Sequence, residues 1–540
     1  MTADGEPHDR ESAAMGFEVL KGTLRDGVGA RLGRLAIAGR APIDTPNFIG
    51  VTSRGTLPHL TPDNIARHLQ TTGAYMALED FIEKPQHHPK RIPPVYQTPT
   101  TPAPSPAGHV SQPTPRLHAF TAMPRSVTTV LAARRLPAVP APSGNTNKSI
   151  SVFTSTGFQA VTTQDYLSAV AALSPDIAIP LADLTHSTDT PSSKRALRMA
   201  ERTDEWIVEW FASLQTRGRT STTTTATFAP ILPVPYPIQW EYISRLAEDY
   251  VPTGQLAGLA VHNPDVLRDV AEHYPALLPL PRLSLSTPPT PHHILRQISR
   301  GGIDLFTIPF INALSDAGLA LSFTFPPPPL TSETQPQPTT TTATTTTTTT
   351  KTTRLPLAID LSDPVHASSL APLTSLSACP CYACTAHHRA YVHHLLHARE
   401  MLGWTLLQIH NHAVVASFFQ GVRDTLLRAA ATSDSSTGLD SYNNSNSNSN
   451  DGNGGNGRDE IERQETFDQA MARFTQTYEA DFPEGAAERP RARGYQFKSV
   501  GGGEGKRNKP AWGRFDGADE GGEGGLDGNG GRDKEGGESG

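Results

Sequence analysis

The sequence predicts an α/β fold, a (β/α)8 TIM-like barrel carrying a small metal-bound subdomain, and three observations predict it. From about residue 150 onward, short β-branched apolar runs alternate with longer amphipathic ones, the pattern of βα units around a parallel sheet. Strand starts at Phe228, Leu256, Arg282 and Ile303 lie 28, 26 and 21 residues apart, close to the minimum for a strand, a helix and two loops. Spacing that short and regular favours a closed barrel over a doubly wound sheet. All three cysteines of the 540-residue chain fall inside six residues, as Cys379-x-Cys381-x2-Cys384, the spacing of a metal knuckle.

Along the chain, residues 1–14 are polar and patternless, and the stretch 1–16 is expected to lack fixed structure. Alternation in Phe17–Leu20 and Arg34–Ala38 predicts an N-terminal antiparallel hairpin ahead of the barrel. The strand candidates are Asp176–Ala182, Phe228–Val234, Leu256–Val261, Arg282–Ser286 and Ile303–Pro309. Between them, Ser193–Arg217 keeps Ala196, Met199, Ala200, Trp206, Ile207, Trp210 and Phe211 at helical spacing. Ile238–Tyr250, Pro264–Tyr274 and Thr290–Arg300 behave similarly, the last two opened by proline near the first turn. After the knuckle, residues 386–430 read as two helices broken near Gly403, and a further helix follows at Ile461–Tyr478. The barrel with its metal subdomain is bounded at 17–430, the subdomain at about 376–430 and the C-terminal helical piece at 459–482.

Other segments cannot build a core. Residues 93–117 are rich in Pro and Thr, 325–353 run from a proline string into a threonine tract, 433–458 are Ser, Asn and Gly, and 499–540 are Gly-rich. Such stretches bury too little apolar surface to offset their ordering entropy, so they are expected as disordered insertions, a disordered linker and a disordered tail over 483–540. Roughly 400 residues remain to fold. No apolar run reaches 18 residues, so no integral membrane segment is expected, and the metal-like use of cysteine points to a reducing, cytoplasmic compartment. A formal charge of −7 excludes a surface that grips nucleic acid all over. Between Arg489 and Arg514, however, eight basic residues face the single acid Glu504 and interleave with Tyr495, Phe497 and Trp512. That segment reads either as an RNA-tracking strand or as a solvated tail.

The knuckle carries the most specific chemistry. Zn2+ takes four ligands in a tetrahedron, and three thiolates with one imidazole fill it, leaving no position for a reacting water. One structural zinc ion is therefore expected. His410 lies 26 residues after Cys384, but His387, His388, His393, His394, His397 and His412 are also near, so spacing alone leaves the fourth ligand open.

The knuckle Cys379-Pro-Cys381-Tyr-Ala-Cys384, followed by Arg389-Ala-Tyr391-Val-His-His394 and closed by Ile409-His410-Asn411, resembles the zinc subdomain of the tRNA-guanine transglycosylases. Three further stretches look like the same family: Thr45-Pro-Asn-Phe48 with Gly55-Thr-Leu-Pro-His-Leu60; Asp176-Ile-Ala-Ile-Pro-Leu-Ala-Asp183 with Lys194-Arg195; and Gly302-Ile-Asp-Leu-Phe306. The likeness runs from about Phe17 to Leu427, interrupted by the insertions. It implies a (β/α)8 barrel with an inserted zinc subdomain, with Cys379, Cys381, Cys384 and His410 as the metal ligands. The family exchanges a guanine in the tRNA anticodon for a 7-deazaguanine such as queuine, using a carboxylate nucleophile on the ribose and a second acid for the bases.

Departures from that pattern carry as much weight. In active members an aspartate nucleophile directly follows the aromatic residue of the segment matching Gly302–Phe306; here Thr307 stands there. The Asp-Ser-Gly-Gly-Phe-Gln motif of the second acid is replaced by Met76-Ala-Leu-Glu79-Asp80-Phe-Ile, without the glycines that admit a base. The base-binding loop reads Ile231-Leu-Pro-Val-Pro235, and its adjoining double glycine is reduced to Ala257-Gly258. Asp183 matches a base-recognising aspartate, and reads more simply as a loop-end residue kept for hydrogen bonding. The pattern is similar to the non-catalytic subunits that pair with an active transglycosylase in eukaryotes. The resemblance implies no catalytic residue, a heterodimer with a catalytic subunit, contact with tRNA through that complex, and a cytoplasmic location with peripheral association at the mitochondrial outer membrane. A second copy of the chain is a further candidate partner, and the competing reading is a self-sufficient transglycosylase with a rearranged site using Glu79, Asp80 or Asp183.

Overall fold

In the computed structural model of the protein, the described residues are 15–22, 28–83, 92–100, 114–141, 144–154, 156–186, 190–217, 225–328, 354–374, 379–436 and 466–483. Three antiparallel strands come first, β1 (Met15–Gly22), β2 (Arg31–Ile37) and β3 (Ile43–Thr45), with β2 in the middle. The expected hairpin thus gains a third strand, and Met15 and Gly16, expected to lack structure, pair with Ile37 and Ala36.

The barrel strands follow in chain order: β4 (Asn47–Val51), β5 (Gly73–Ala77) and β6 (Thr128–Ala132), then, after a hairpin of β7 (Ser149–Thr154) and β8 (Gly157–Thr162), β9 (Ile177–Ala178), β10 (Ala226–Ile231), β11 (Gly258–Val261), β12 (Arg282–Ser284) and β13 (Leu305–Thr307). They close into one ring, β10-β11-β12-β13-β4-β5-β6-β9, and every neighbouring pair is parallel. The five strands expected after residue 150 are present but shorter, because pairing stops where each chain turns over the mouth. Three barrel strands precede the region where βα alternation is visible, since the Pro/Thr insertion separates β5 from β6 and a β-hairpin separates β6 from β9.

Alternation along these strands sorts their side chains into two cores. Ile49, Tyr75, Val130, Ile177, Phe228, Ala260, Leu283 and Leu305 form one cluster with Leu35 and Ile43 of the antiparallel sheet, which plugs the barrel floor. The alternate residues, among them Phe48, Met76, Leu131, Ile231, Val261 and Phe306, pack outward against the helices.

Past the ring, β14 (Leu319–Leu321) pairs with β15 (Ala358–Asp360), and the knuckle leads into helices Tyr382–Ala386, Arg389–His397 and the 36-residue Met401–Ser436. The helix break expected at Gly403 lies at 398–400 instead, where Arg399 has φ of 58°. Gly403 is inside the next helix, and a Cβ there would come within 3.2 Å of the Leu395 Cβ, so close packing of the two helices accounts for the glycine. That helix runs to Ser436, past the expected boundary at 430 and into the segment 433–458 expected to be disordered. The C-terminal helix begins at Phe467 rather than Ile461, because Thr466 and Gln469 form a capping box there. Within 93–117, Pro94–Gln97 is helical with Val95 fully buried, and Phe325 packs on Phe418, Phe467 and Phe474. Most of the low-complexity segments and the basic stretch from Arg489 lie outside the described residues. No helix among the described residues is long and apolar enough to cross a membrane.

Two arginines of the antiparallel sheet clamp the floor to the ring. Arg31 donates from Nε to Asp304 Oδ1 at 2.9 Å and from Nη2 to Oδ2 at 2.5 Å, while the Arg282 amide donates to Oδ2 at 2.8 Å. Arg40 Nε reaches Asp176 at 2.9 Å, and Asp176 also accepts from the Thr129 amide at 2.7 Å. Asp304 is completely buried. Asp304→Asn should therefore strand the Arg31 charge and lower stability by about 3–5 kcal/mol, the usual cost of breaking a buried pair, measured by urea unfolding; a loss within error would show that the clamp is dispensable.

Candidate metal centre and the barrel mouth

Cys381 caps the short helix Tyr382–Ala386, its sulfur accepting from the Cys384 amide at 3.4 Å, so the turn itself brings these two thiols to one side. His410 arrives from the long helix. Its Nδ1 lies 3.9, 3.6 and 3.3 Å from the sulfurs of Cys379, Cys381 and Cys384, and all four ligand atoms lie within 4.8 Å of one another. The opposite ring nitrogen, Nε2, donates to the Leu321 carbonyl at 2.9 Å, which leaves the Nδ1 lone pair aimed at the thiols. Asn411 completes the clip by accepting from the Leu321 amide at 2.8 Å and donating to the Leu319 carbonyl at 3.0 Å.

The electrostatics suit a cation. Hydrogen bonds from Cys379 and Cys381 draw the Cys384 thiol far below its ordinary range, with His410 adding to the effect, while the same sharing pushes Cys381 up. Burial opposes charge on His410, yet Cys379 and Cys384 push it to about 9. A cluster that gathers negative sulfur and pulls a proton onto the imidazole is one in which a metal ion can take the proton's place. An apolar shell of Leu57, Leu60, Ala383, Val392, Leu406 and Ile409 excludes water around it.

Three of the other histidines near the knuckle are engaged elsewhere. His393 Nδ1 bonds the Leu361 carbonyl at 2.9 Å, His388 caps the Tyr391 amide at 3.2 Å, and His412 contacts Gln408 at 3.2 Å. Among the described residues, no second group of three or more His, Cys, Asp or Glu ligand atoms is gathered this way.

At the barrel mouth, Thr307 follows Leu305 on the inward side and is fully buried, and its hydroxyl donates to the Ser284 carbonyl at 2.9 Å. The nearby acids are all held by arginines. Glu79 accepts from the Arg135 amide and Nε, both at 2.7 Å, and from the Phe153 amide at 2.7 Å. Asp80 pairs with Arg135 at 3.2 Å and accepts from the Arg54 amide at 3.0 Å; burial raises its carboxyl to about 6. Asp183 is gripped by Arg195 at 2.6 and 2.7 Å, Arg202 at 3.0 Å and Asn145 at 2.7 Å, and these bonds outweigh burial and hold its pKa low. The loop Ile231–Pro235 is closed by Gln239, whose amide bonds Leu232 N, Leu232 O and Val234 O at 3.1, 3.0 and 2.6 Å. A Cβ at Gly258 would meet the Phe228 ring at 2.6 Å, so this glycine is required by packing. In the sequence the arginine partners show only as Arg135 at the end of an apolar run and as Arg195 and Arg202, two turns apart on one helical face.

With the geometry in hand, comparison with known proteins is informative. The family model described as queuine tRNA-ribosyltransferase matches residues 26–435. The chain is 30% identical over 487 residues to queuine tRNA-ribosyltransferase accessory subunit 2 of Schizosaccharomyces pombe, covering 90% of this chain and 89% of that one. It is 26% identical to the protein of that name from Gallus gallus and 25% identical to that from Ixodes scapularis, covering 92% and 98% of their lengths.

Two outcomes follow from this geometry. Replacing Cys381 and Cys384 together by serine should abolish bound metal, read by elemental analysis, and cost about 4 kcal/mol or more of stability; metal retained at the wild-type level would exclude these ligands. The Asp80 carboxyl, near ~3.9 when unfolded and raised to about 6 when folded, holds its extra proton only in the native state. Its contribution is therefore present below the unfolded value and is lost as pH rises through the folded one. Asp80→Asn should flatten the pH dependence of urea unfolding between roughly pH 4 and 6, and an unchanged slope would assign that dependence to other groups.

Proposed function

The chain belongs to the queuine tRNA-ribosyltransferase family, and from that premise we propose that it is the non-catalytic subunit of a heterodimeric enzyme, supporting exchange of guanine for queuine at the anticodon wobble position of tRNA by its catalytic partner. One observation carries the reading: where the family resemblance implies a carboxylate nucleophile, Thr307 presents an uncharged hydroxyl whose proton is already given to the Ser284 carbonyl. Attack on the ribose carbon needs an electron pair on an oxygen that is anionic or has a base beside it. Glu79, Asp80 and Asp183 are each tied into arginine pairs, and none of them is hydrogen-bonded to the Thr307 hydroxyl.

Cys379, Cys381, Cys384 and His410 would hold one zinc ion in this reading, a closed site whose chemistry is to fix the knuckle rather than to activate water. The fixed knuckle carries a ladder of rings: His68 stacks on Tyr382 at 4.7 Å, Tyr382 meets His387 at 5.3 Å, and His387 stacks on Tyr391 at 5.3 Å. Tyr382 is 43% exposed. A preordered aromatic surface loses little entropy on association, and this face is where we place the catalytic subunit. The second subunit then contributes backbone contacts that position a tRNA far larger than one barrel mouth.

Co-purification with an active transglycosylase tests the assignment. The chain alone should incorporate no labelled guanine into tRNA, should bring down the catalytic subunit and should raise its exchange. Incorporation by the chain alone would instead support a self-sufficient enzyme. Metal-free protein carrying serine at both Cys381 and Cys384 should lose the partner, whereas intact assembly would move the interface away from the knuckle.

A further inference from the structure

We propose that the barrel mouth holds a phosphate ester between Arg134, His186 and His262, a binding site distinct from the metal lobe and from the partner surface. Arg134 stands two residues past the end of β6, His186 lies on the loop leaving β9, and His262 directly follows β11. Since β6, β9, β10 and β11 are successive neighbours in the ring, the three residues crown one sector of the mouth.

Each offers hydrogen-bonding capacity that the described residues do not use. Arg134 donates from Nη2 to Asn145 Oδ1 at 2.8 Å, and Asn145 in turn donates to Asp183 Oδ1 at 2.7 Å. The guanidinium is thus braced from one side, and among the described residues its Nε and Nη1 have no hydrogen-bond partner. His186 adopts a left-handed backbone with φ of 50°, unusual for a residue with a Cβ, and its Nε2 is buried without a hydrogen-bond partner. Leaving a buried ring nitrogen unpaired is costly, and a conformation that costs more still is one that a ligand can repay. His262 anchors through its amide to the Ile231 carbonyl at 3.0 Å, and among the described residues its ring has no hydrogen-bond partner.

Charge decides what fits. Burial, then the Arg134 charge and the nearby His262, lower His186 to about 3, and burial lowers His262 to about 4. Both rings are therefore neutral near pH 7, each able to donate one N–H, beside a permanent guanidinium. That set repels a cation and suits an oxyanion with several acceptor oxygens. Internal carboxylates do not fill the role: Asp183 is committed to Arg195, Arg202 and Asn145, and Glu79 to Arg135 and Phe153. Exposed Lys148, Lys194 and Arg198 add positive charge in the segments that carry Asn145 and Arg195, which favours phosphate over a lone carboxylate.

Titration calorimetry of the full chain at low salt, with inorganic phosphate, uridine 5′-monophosphate and a short single-stranded oligoribonucleotide, tests this. At least one probe should bind, about tenfold more weakly after Arg134→Met, and more weakly after His186→Asn, which tolerates the left-handed backbone. Binding of the monophosphate assigns the ester to a nucleotide, and binding of the oligoribonucleotide alone assigns it to RNA. No binding by any probe, or binding that survives both substitutions, overturns the site. If Arg134→Met does not fold, as judged by its melting temperature, His186→Asn and His262→Gln decide the question by the same criterion.

Discussion

A carboxylate removed entirely from water closes the ring. Asp304 begins the turn into β13, and its backbone carbonyl accepts from the Asn47 amide at the start of β4, so it sits at the seam where the last barrel strand meets the first. Its side chain holds Arg31 of the plug and the amide of Arg282 on β12. Desolvating such a pair offsets much of its Coulomb attraction, so the clamp contributes register more than net stability. A shift of one residue in β13 would turn the carboxylate outward and leave Arg31 buried alone. Across the floor, Arg40 on Asp176 does the same for β6 and β9. With both walls pinned, the mouth at the other end of the strands inherits fixed positions.

The long helix Met401–Ser436 ties the metal lobe to that ring. Near its start His410 faces the thiols and, with Asn411, reads both the carbonyl and the amide of Leu321 on β14. Two turns further on, Phe419 packs against Phe48 of β4 and Phe306 of β13, at ring separations of 5.7 and 5.6 Å. One rigid element therefore carries the histidine of the Cys3His cluster and the outer wall of the seam. Disturbing the knuckle would therefore loosen a strut of the barrel as well as a surface loop.

How much of this was legible in the sequence depended on whether each signal was local. The knuckle was legible because its three thiols are contiguous and cysteine occurs nowhere else. The second half of the barrel was legible because β10 to β13 recur at short spacing, while β4 to β6 were hidden by the insertions between them. Choosing His410 among seven nearby histidines from the residues alone needed the Leu321 contact 89 positions away, which periodicity does not encode. Glu79, Asp80 and Asp183 read as acids in sequence, and their neutralisation became visible only when Arg135, Arg195 and Arg202 were brought to them by tertiary packing. Val95 and Phe325 fell in segments whose composition argued against structure, yet each is an apolar side chain at the edge of such a segment, where the core still reaches it.

That pairing also bears on why the mouth keeps its acids. An acid shared with a guanidinium serves packing as well as any chemistry. In this mouth the acids have become structural: Glu79 and Asp80 fasten β5 to β6 through Arg135 and reach Phe153 of the β7–β8 hairpin, and Asp183 fastens the loop after β9 to the helix Ser193–Arg217. Removing Asp183 would leave Arg195 and Arg202 without their shared carboxylate, and removing both Glu79 and Asp80 would leave the buried Arg135 unpaired, so packing alone is enough to keep these charges. Retained acids in this pocket are therefore not by themselves a sign of a reaction, and the residue that departs from the family resemblance is Thr307, whose hydroxyl donates to the Ser284 carbonyl.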